Sequence, residues 1–326
     1  MTSALFANKI LAAAATIIFW ATAATVATAD ETLATARFSG NIQIGAMWSD
    51  STSQLKAVDS NETTDDIDGP ADHFDVFYPV VLFDLKYKAS DDTTLHAGTP
   101  IDEYGIRLST GATHDLGPAG QLDVSVFWSP MHREWKDPYI AGQERDETDV
   151  LDVGVELNYN RIMGSAWQCR ARYHYIDLDQ DLIGERYEDL QRDGTRYTIN
   201  LGYALPIGRS DRIVPAVDYT HAPMEGASNS YDSYRFILNY VHRARRYMLN
   251  AYLGGGLSQY AKEHPLYGKT RHEKSVGGFA ILTWFNPFTW QHTFFSVGLG
   301  AGYADANIDF FDARTYSTLA SFGYSF

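Results

Sequence analysis

Residues 275–304 read SVGGFAILTWFNPFTWQHTFFSVGLGAGYA and hold no Asp, Glu, Lys or Arg. By length the stretch could cross a bilayer as a helix, which needs about 20 apolar residues. Its interior argues against that. Asn286-Pro287 breaks it, Gln291-His292 is polar, and Gly298, Gly300 and Gly302 alternate with Val297, Leu299, Ala301 and Tyr303. In a helix each glycine costs roughly 1 kcal/mol against alanine. In a strand the two parities face opposite sides, so one face can meet lipid while the glycine face looks inward. The stretch is therefore a strand hairpin.

The same alternation runs outward through the chain. Leu151, Val153, Val155, Leu157 and Tyr159 oppose Asp152, Gly154, Glu156 and Asn158, and Trp167, Cys169, Ala171, Tyr173 and Tyr175 oppose Gln168, Arg170, Arg172 and His174. Candidate strands fall near 37–49, 76–87, 93–99, 104–113, 121–129, 148–159, 165–176, 195–205, 211–220, 232–242, 246–259, 275–285, 291–304 and 314–326. Long connections alternate with short ones such as KASDD, PIGRSD and HRARR, the habit of outer-membrane barrels with long outer loops and tight periplasmic turns. The parity slips once, near Pro100–Glu103, where the connection is short. Pro215 inside 211–220 predicts a bulge.

Aromatic residues make up 14 % of the chain. Tyr78, Tyr87, Trp128, Tyr159, Tyr203, Tyr219, Tyr234, Tyr247, Trp284 and Tyr303 sit near strand ends on the apolar parity, where two interfacial girdles belong. The last twelve residues, TYSTLASFGYSF, form a regular strand ending on Phe326. A terminal strand this greasy makes sense if it pairs with the first, and the final aromatic is the expected signal for barrel-assembly machinery. The fold class is all-β: a transmembrane, antiparallel, up-and-down barrel of about fourteen strands, with twelve as the alternative count.

Before it, Lys9, the apolar run ILAAAATIIFWATAATV and Ala27-Thr28-Ala29 have the parts of a cleaved signal peptide. The expected organisation is a leader, 1–29, and a barrel, 30–326, in the bacterial outer membrane, with outer-membrane lipid and lipopolysaccharide around it. No Leu-x-x-Cys site marks a lipoprotein. Cys169, the single cysteine, permits no internal disulfide and reads as a packing or lipid-facing residue. Lys9 is the only charge in the leader, so 25 basic face 41 acidic residues after cleavage. That balance, with no basic patch, excludes a nucleic-acid partner.

Inside the barrel, Arg170, Arg172, Arg196, Arg212 and Arg235 come from four consecutive strands and predict a basic wall. Arg107, His174, Asp123, Glu156 and Asp218 are placed on the same lumen-lining parity. About fourteen strands leave room for water, so the expected function is a porin-like channel for passive diffusion of small hydrophilic solutes, with a lean toward anions. The loop 130–147 is the expected constriction. Acidic residues crowd the loops at Asp59, Glu62, Asp65, Asp66 and Asp68, and again at Asp177, Asp179, Asp181 and Glu185. DLDQDLIGE fails as a calcium loop, because Leu182 stands where glycine is needed. The alternative function is a non-conducting structural or surface-binding barrel acting through those loops.

EWKDPYIAGQERDETDV at 134–150 and FSGNIQIGA at 38–46 resemble an uncharacterised family of Gram-negative outer-membrane proteins, defined only as a domain of unknown function. Its sharpest element is Trp135-Lys136-Asp137-Pro138-Tyr139, followed by Arg145 and Thr148-Asp149. The resemblance implies an outer-membrane barrel and no catalytic residue. Read from the residues, Asp137-Pro138 is a turn, Trp135 and Tyr139 form an aromatic lid pair at the mouth, and Lys136 and Asp137 tie the loop to the rim. A hydrolase is the least favoured reading: none of the ten histidines has a serine two residues on, nor an aspartate two before. No catalytic residue, metal ligand or cofactor is expected.

Overall fold

The computed structural model describes residues 37–326, Glu103, Tyr104 and Met131 excepted; the expected leader lies outside them. Among the described residues, fourteen antiparallel strands close a barrel: β1 (Phe38–Ser51), β2 (Phe74–Lys88), β3 (Thr93–Gly98), β4 (Leu108–Asp115), β5 (Gln121–Trp128), β6 (Glu147–Asn160) and β7 (Trp167–Leu178), then β8 (Gly194–Tyr203), β9 (Asp211–Ala222), β10 (Tyr231–Arg243), β11 (Tyr247–His264), β12 (Lys269–Phe285), β13 (Thr293–Ala306) and β14 (Ala313–Ser325). Each pairs with its neighbours in sequence, and β14 returns to β1 from Asn41↔Ser325 to Ser51↔Thr315. At the seam Gly40 and Phe326 exchange backbone bonds of 2.8 and 2.9 Å, and the Phe326 ring stacks on Phe38 at 5.5 Å.

The outer surface is apolar because that parity faces lipid. Ile44 is 67 % exposed and Leu299 61 %, values that only a hydrocarbon surround makes favourable. On β9 and β10 the band is framed by two similar clusters. Asp211 accepts from Tyr240 at 2.5 Å and pairs with His242 at 2.9 Å; Asp232 accepts from Tyr219 at 2.7 Å and pairs with His221 at 2.9 Å. From Asp211 to His221 the strand rises roughly 33 Å along its axis, about 25 Å of height at an ordinary tilt, which matches an outer-membrane band.

Several expectations need correction. Tyr78 points inward and is buried: the run Tyr78-Pro79-Val80-Val81-Leu82-Phe83 is apolar on both parities, so alternation there could not choose a face. Pro215 causes no bulge. Pairing of β9 resumes in the same register as Leu205↔Ile213, after a gap opposite Pro215; the register shift lies between Gln259 and Glu263. The connection expected between the strands at 246–259 and 275–285 is mostly strand, since β11 and β12 run on past the membrane to a turn at 265–268. Above the bilayer both faces meet water, so alternation fades while backbone pairing continues. The segment expected to start a strand at 104 instead forms a small ribbon, Ile101–Asp102 with Gly105–Ile106, and β4 starts at Leu108.

Inward glycines make room for inward rings. A Cβ on Gly298 would lie 2.5 Å from Phe279 Cζ, and one on Gly323 2.2 Å from Phe294 Cζ. Gly298→Val should therefore destabilise the refolded barrel by about 1–3 kcal/mol, read from the urea midpoint in detergent. Ala301→Val on the lipid face should change it by less than about 0.5 kcal/mol; equal effects would show that the glycine parity is not packed.

Candidate functional site: a two-faced lumen under a locked cap

The interior is divided into two arcs. From β9 round to β2, inward positions carry Ala216, Ile237, Tyr252, Phe279, Leu319 and Val80 as one buried cluster, with Met47 and Ile281 against it. The arc β3 to β8 carries most of the polar set, which Arg212, Asp218 and Arg235 continue onto β9 and β10. His96 lies 2.7 Å from Asp123, which also accepts from Thr113 and Asn158. Asn158 in turn accepts from Arg170 Nε at 2.6 Å and donates to Glu156 at 2.9 Å. Uniformly hydrophilic lining, as expected of a general pore, is not what these residues build.

Glu156 is the centre of the polar arc. Arg172 donates to it twice, at 2.7 and 2.8 Å, and Arg170 and Arg107 stand at 3.7 and 3.8 Å. A carboxylate accepts several charge-assisted bonds at once, so one glutamate can order three guanidinium groups. Above it His174 is fully buried, 2.7 Å from Asp152 and edge-on to Phe127. Arg196 lies opposite His174 in the β7–β8 ladder, and Asp218, bonded by Asn200, lies opposite Arg235 in the β9–β10 ladder. Arg212 shares that inward parity nearer the periplasm.

The two arcs are bridged by a segment that sequence reading left in the wall. Ile106 packs against the apolar cluster, while the next residue, Arg107, lies over the Phe127 ring at 4.5 Å and reaches Glu156. Successive residues of one extended segment point opposite ways, so this one segment touches both the apolar cluster and the Glu156 network. Ile106 and Arg107 therefore occupy part of the interior, a placement that alternation alone does not give. A length argument could have found it: six residues of β3 are too few to span the band, which takes about 9–11.

The 130–147 loop instead belongs to a cap over the mouth. Arg133–Trp135 extends the β6 edge at Asp149–Glu147. Trp135 is 1 % exposed and donates to Gln54 O at 3.1 Å. Arg145 lies over its ring at 4.6 Å and donates to Gln54 O, Gln54 Oε1, Pro138 O and Asn61 O. Burial pulls the Arg145 guanidinium down to about 10, still charged at neutral pH, so a buried cation here is held by neutral carbonyls. Arg192 ties loop to loop, donating to Glu134, Trp135 O, Lys136 O and Asp181. Asp181, from the acidic DLDQDLIGE run, also accepts from Gly184 N and caps the short helix Leu182–Arg186.

The remaining residues of the motif are rim ties. Asp137 accepts from Tyr139 N at 3.0 Å and pairs with Arg186 at 3.3 Å, and Lys136 lies 3.8 Å from Asp146. Tyr139 does not pair with Trp135 as a lid. It meets His264 at 2.9 Å and packs on Phe310 and Tyr267, under which Arg271 covers the Phe311 ring at 3.6 Å. Arg145 stood out in sequence only through the family resemblance and Arg192 not at all, because nothing local marks which arginine will be buried.

A family profile described as "Protein of unknown function (DUF2860)" matches residues 38–325. A search of curated proteins finds no match. Among solved structures the chain is similar to a loop L8 deletion mutant of OmpT, an outer membrane protein of Vibrio cholerae, at 12 % identity over 87 % of this chain and 99 % of that one, with a TM-score of 0.40. It is similar to the outer membrane channel DcaP of Acinetobacter baumannii at 11 % identity, 89 % and 96 % coverage and a TM-score of 0.43. An outer membrane channel from Pseudomonas putida F1 gives 12 %, 88 %, 95 % and 0.44.

Removing the buried guanidinium should loosen the cap and leave the barrel. Arg145→Met strands the carbonyls of Gln54 and Asn61, a loss of about 2–4 kcal/mol in loop docking. Protease cleavage within 52–73 should rise by at least about tenfold, with an unchanged urea midpoint for the barrel. Cleavage at the wild-type rate would mean that Arg145 does not hold the cap.

Proposed function

We propose, from the premise that the chain belongs to the family described as Protein of unknown function (DUF2860), that this outer-membrane barrel is a diffusion channel for small solutes that join an anionic group to an apolar body. The division of the lumen carries this reading. A purely hydrophilic solute gains nothing from the side of the interior built on Ile237, Tyr252, Phe279 and Leu319, and a purely apolar one gains nothing from the arginines. An amphipathic anion matches both walls, which meet at Ile106 and Arg107.

The sign follows from the inward charges. Arg107, Arg170, Arg172, Arg196, Arg212 and Arg235 are set against Asp123, Asp152, Glu156 and Asp218, two more cations than carboxylates. At roughly 6 Å and water-like screening, two such charges favour an anion by about 1.4 kcal/mol, about tenfold in occupancy. A charged ring acting on a narrow pore gives selectivity of this kind.

Single-channel recording across a salt gradient tests the proposal. Discrete conductance with an anion-selective reversal potential is expected, and benzoate should block or permeate more strongly than acetate. Arg170→Gln with Arg172→Gln removes the excess of positive charge and should bring the reversal potential close to zero. Cation selectivity in the wild type would overturn the reading. No conductance from a folded, heat-modifiable barrel would favour the second reading, a non-conducting surface barrel, which the interlocked cap supports through Arg145 and Arg192.

A further inference from the structure

The short periplasmic turns are not alike in charge. The β8–β9 and β10–β11 turns, over residues 204–212 and 240–248, hold Arg209, Arg212, Arg243, Arg245 and Arg246, against Asp211 as the single acidic residue of the two stretches. This stands out in a chain of net charge −15. The turns lie side by side: Asp211 is opposite His242 in the β9–β10 ladder, and Arg243 N donates to Ser210 O at 2.8 Å. Arg212 shares the inward parity, whereas Arg209, Arg243, Arg245 and Arg246 are exposed. Asp211 is engaged by Tyr240 and His242. Elsewhere on the same rim basic groups are matched within the chain, Lys88 by Asp91 at 3.0 Å and Arg161 by Asp115 at 2.9 Å.

An aromatic shelf adjoins these arginines. Arg246 O accepts from Phe285 N at 2.9 Å, which sets the β10–β11 turn against the β12–β13 turn. Tyr247 stacks on Trp284 with ring centroids 6.4 Å apart, Trp284 meets Phe288 at 5.2 Å, and Phe288 meets Trp290 at 5.6 Å. Phe288 is 70 % exposed and Trp290 56 %. Rings so exposed at the lower end of the apolar band belong at the headgroup level of a bilayer. That position puts the neighbouring guanidinium groups level with the lipid phosphates. An arginine fork binds phosphate oxygens two at a time, and basic side chains beside a membrane-spanning segment draw anionic lipid.

We infer that the β8–β9 and β10–β11 turns, with the aromatic shelf beside them, form a binding surface for an anionic phospholipid of the inner leaflet. Arg209, Arg245 and Arg246 hold its phosphate, and its acyl chains lie against Tyr247 and Trp284. Charge complementarity selects this occupant. A zwitterionic headgroup offsets its phosphate contact by bringing an ammonium next to the same arginines. A soluble acidic partner satisfies the arginines but gains nothing from rings that stand at the lipid boundary. The surface lies outside the lumen, so it holds whether or not the barrel conducts.

Native mass spectrometry of the detergent-solubilised mature protein, titrated with phosphatidylglycerol or phosphatidylcholine of the same acyl chains, tests the assignment. The wild type should take up its first phosphatidylglycerol at least about tenfold more tightly than phosphatidylcholine. Each basic side chain at an anionic surface contributes about fivefold. Arg209→Gln with Arg245→Gln and Arg246→Gln should therefore weaken phosphatidylglycerol by at least about tenfold and leave phosphatidylcholine within about twofold. Arg245→Gln with Arg246→Gln takes its place should the triple variant not give a heat-modifiable barrel. Lys88→Gln with Arg161→Gln, matched to that pair in charge, should leave the uptake of both lipids unchanged. Equal binding of the two lipids by the wild type, or an equal loss in the Lys88 and Arg161 variant, would overturn the surface. Binding of poly-L-glutamate through the same arginines, with no preference for phosphatidylglycerol, would assign them to an acidic soluble partner and overturn it equally.

Discussion

The hydrogen-bond ladder between β1 and β14 is the constraint on which the rest depends. In hydrocarbon an unpaired backbone N–H or C=O costs several kcal/mol, so a sheet in lipid must close. Closure fixes the parity of every strand, because a slip of one residue would turn the glycine face of β13 to lipid and Leu299 to the lumen. It also explains the ordered terminus. Phe326 exchanges bonds with Gly40 and stacks on Phe38, so the last residue is part of the wall rather than a fraying end.

Closure leaves an interior that must be filled or wetted. Here it is filled unevenly. Rings of Phe279 and Phe294 occupy space left by Gly298 and Gly323 on one side, and a carboxylate-centred network occupies the other. The network is needed because burying several guanidinium groups without partners is costly, and Glu156 with Asn158 and Asp123 supplies bonds at close range. The segment at Ile106 and Arg107 belongs to both halves: Ile106 is held by the apolar arc and Arg107 by Glu156.

The barrel was legible in the sequence because alternation is a local signal repeated in strand after strand. Arg170, Arg172 and Glu156 could be put on one parity for the same reason. What alternation cannot express is contact between strands distant in sequence. The Trp135-to-Gln54 bond spans 81 residues, and the pairing of Tyr139 with His264 spans 125; no period links them. Tyr78 was lost where both parities are apolar. The inward placement of Ile106 and Arg107 was hidden for a different reason: a short β3 looks like an ordinary strand until its length is compared with the bilayer.

The two sets of charges at the outer surface should respond differently to their surroundings. Asp59, Glu62, Asp65, Asp66 and Asp68 are exposed, so their mutual repulsion is screened by salt over about 8 Å at physiological ionic strength. Arg145 is buried and bonded to neutral carbonyls, so added ions neither compete for its partners nor screen a counter-charge. A cap held in this way stays docked when the acidic loops gain or lose divalent cations. The cap is then a fixed part of the molecule, held independently of the charges that surround Glu156 in the interior below it.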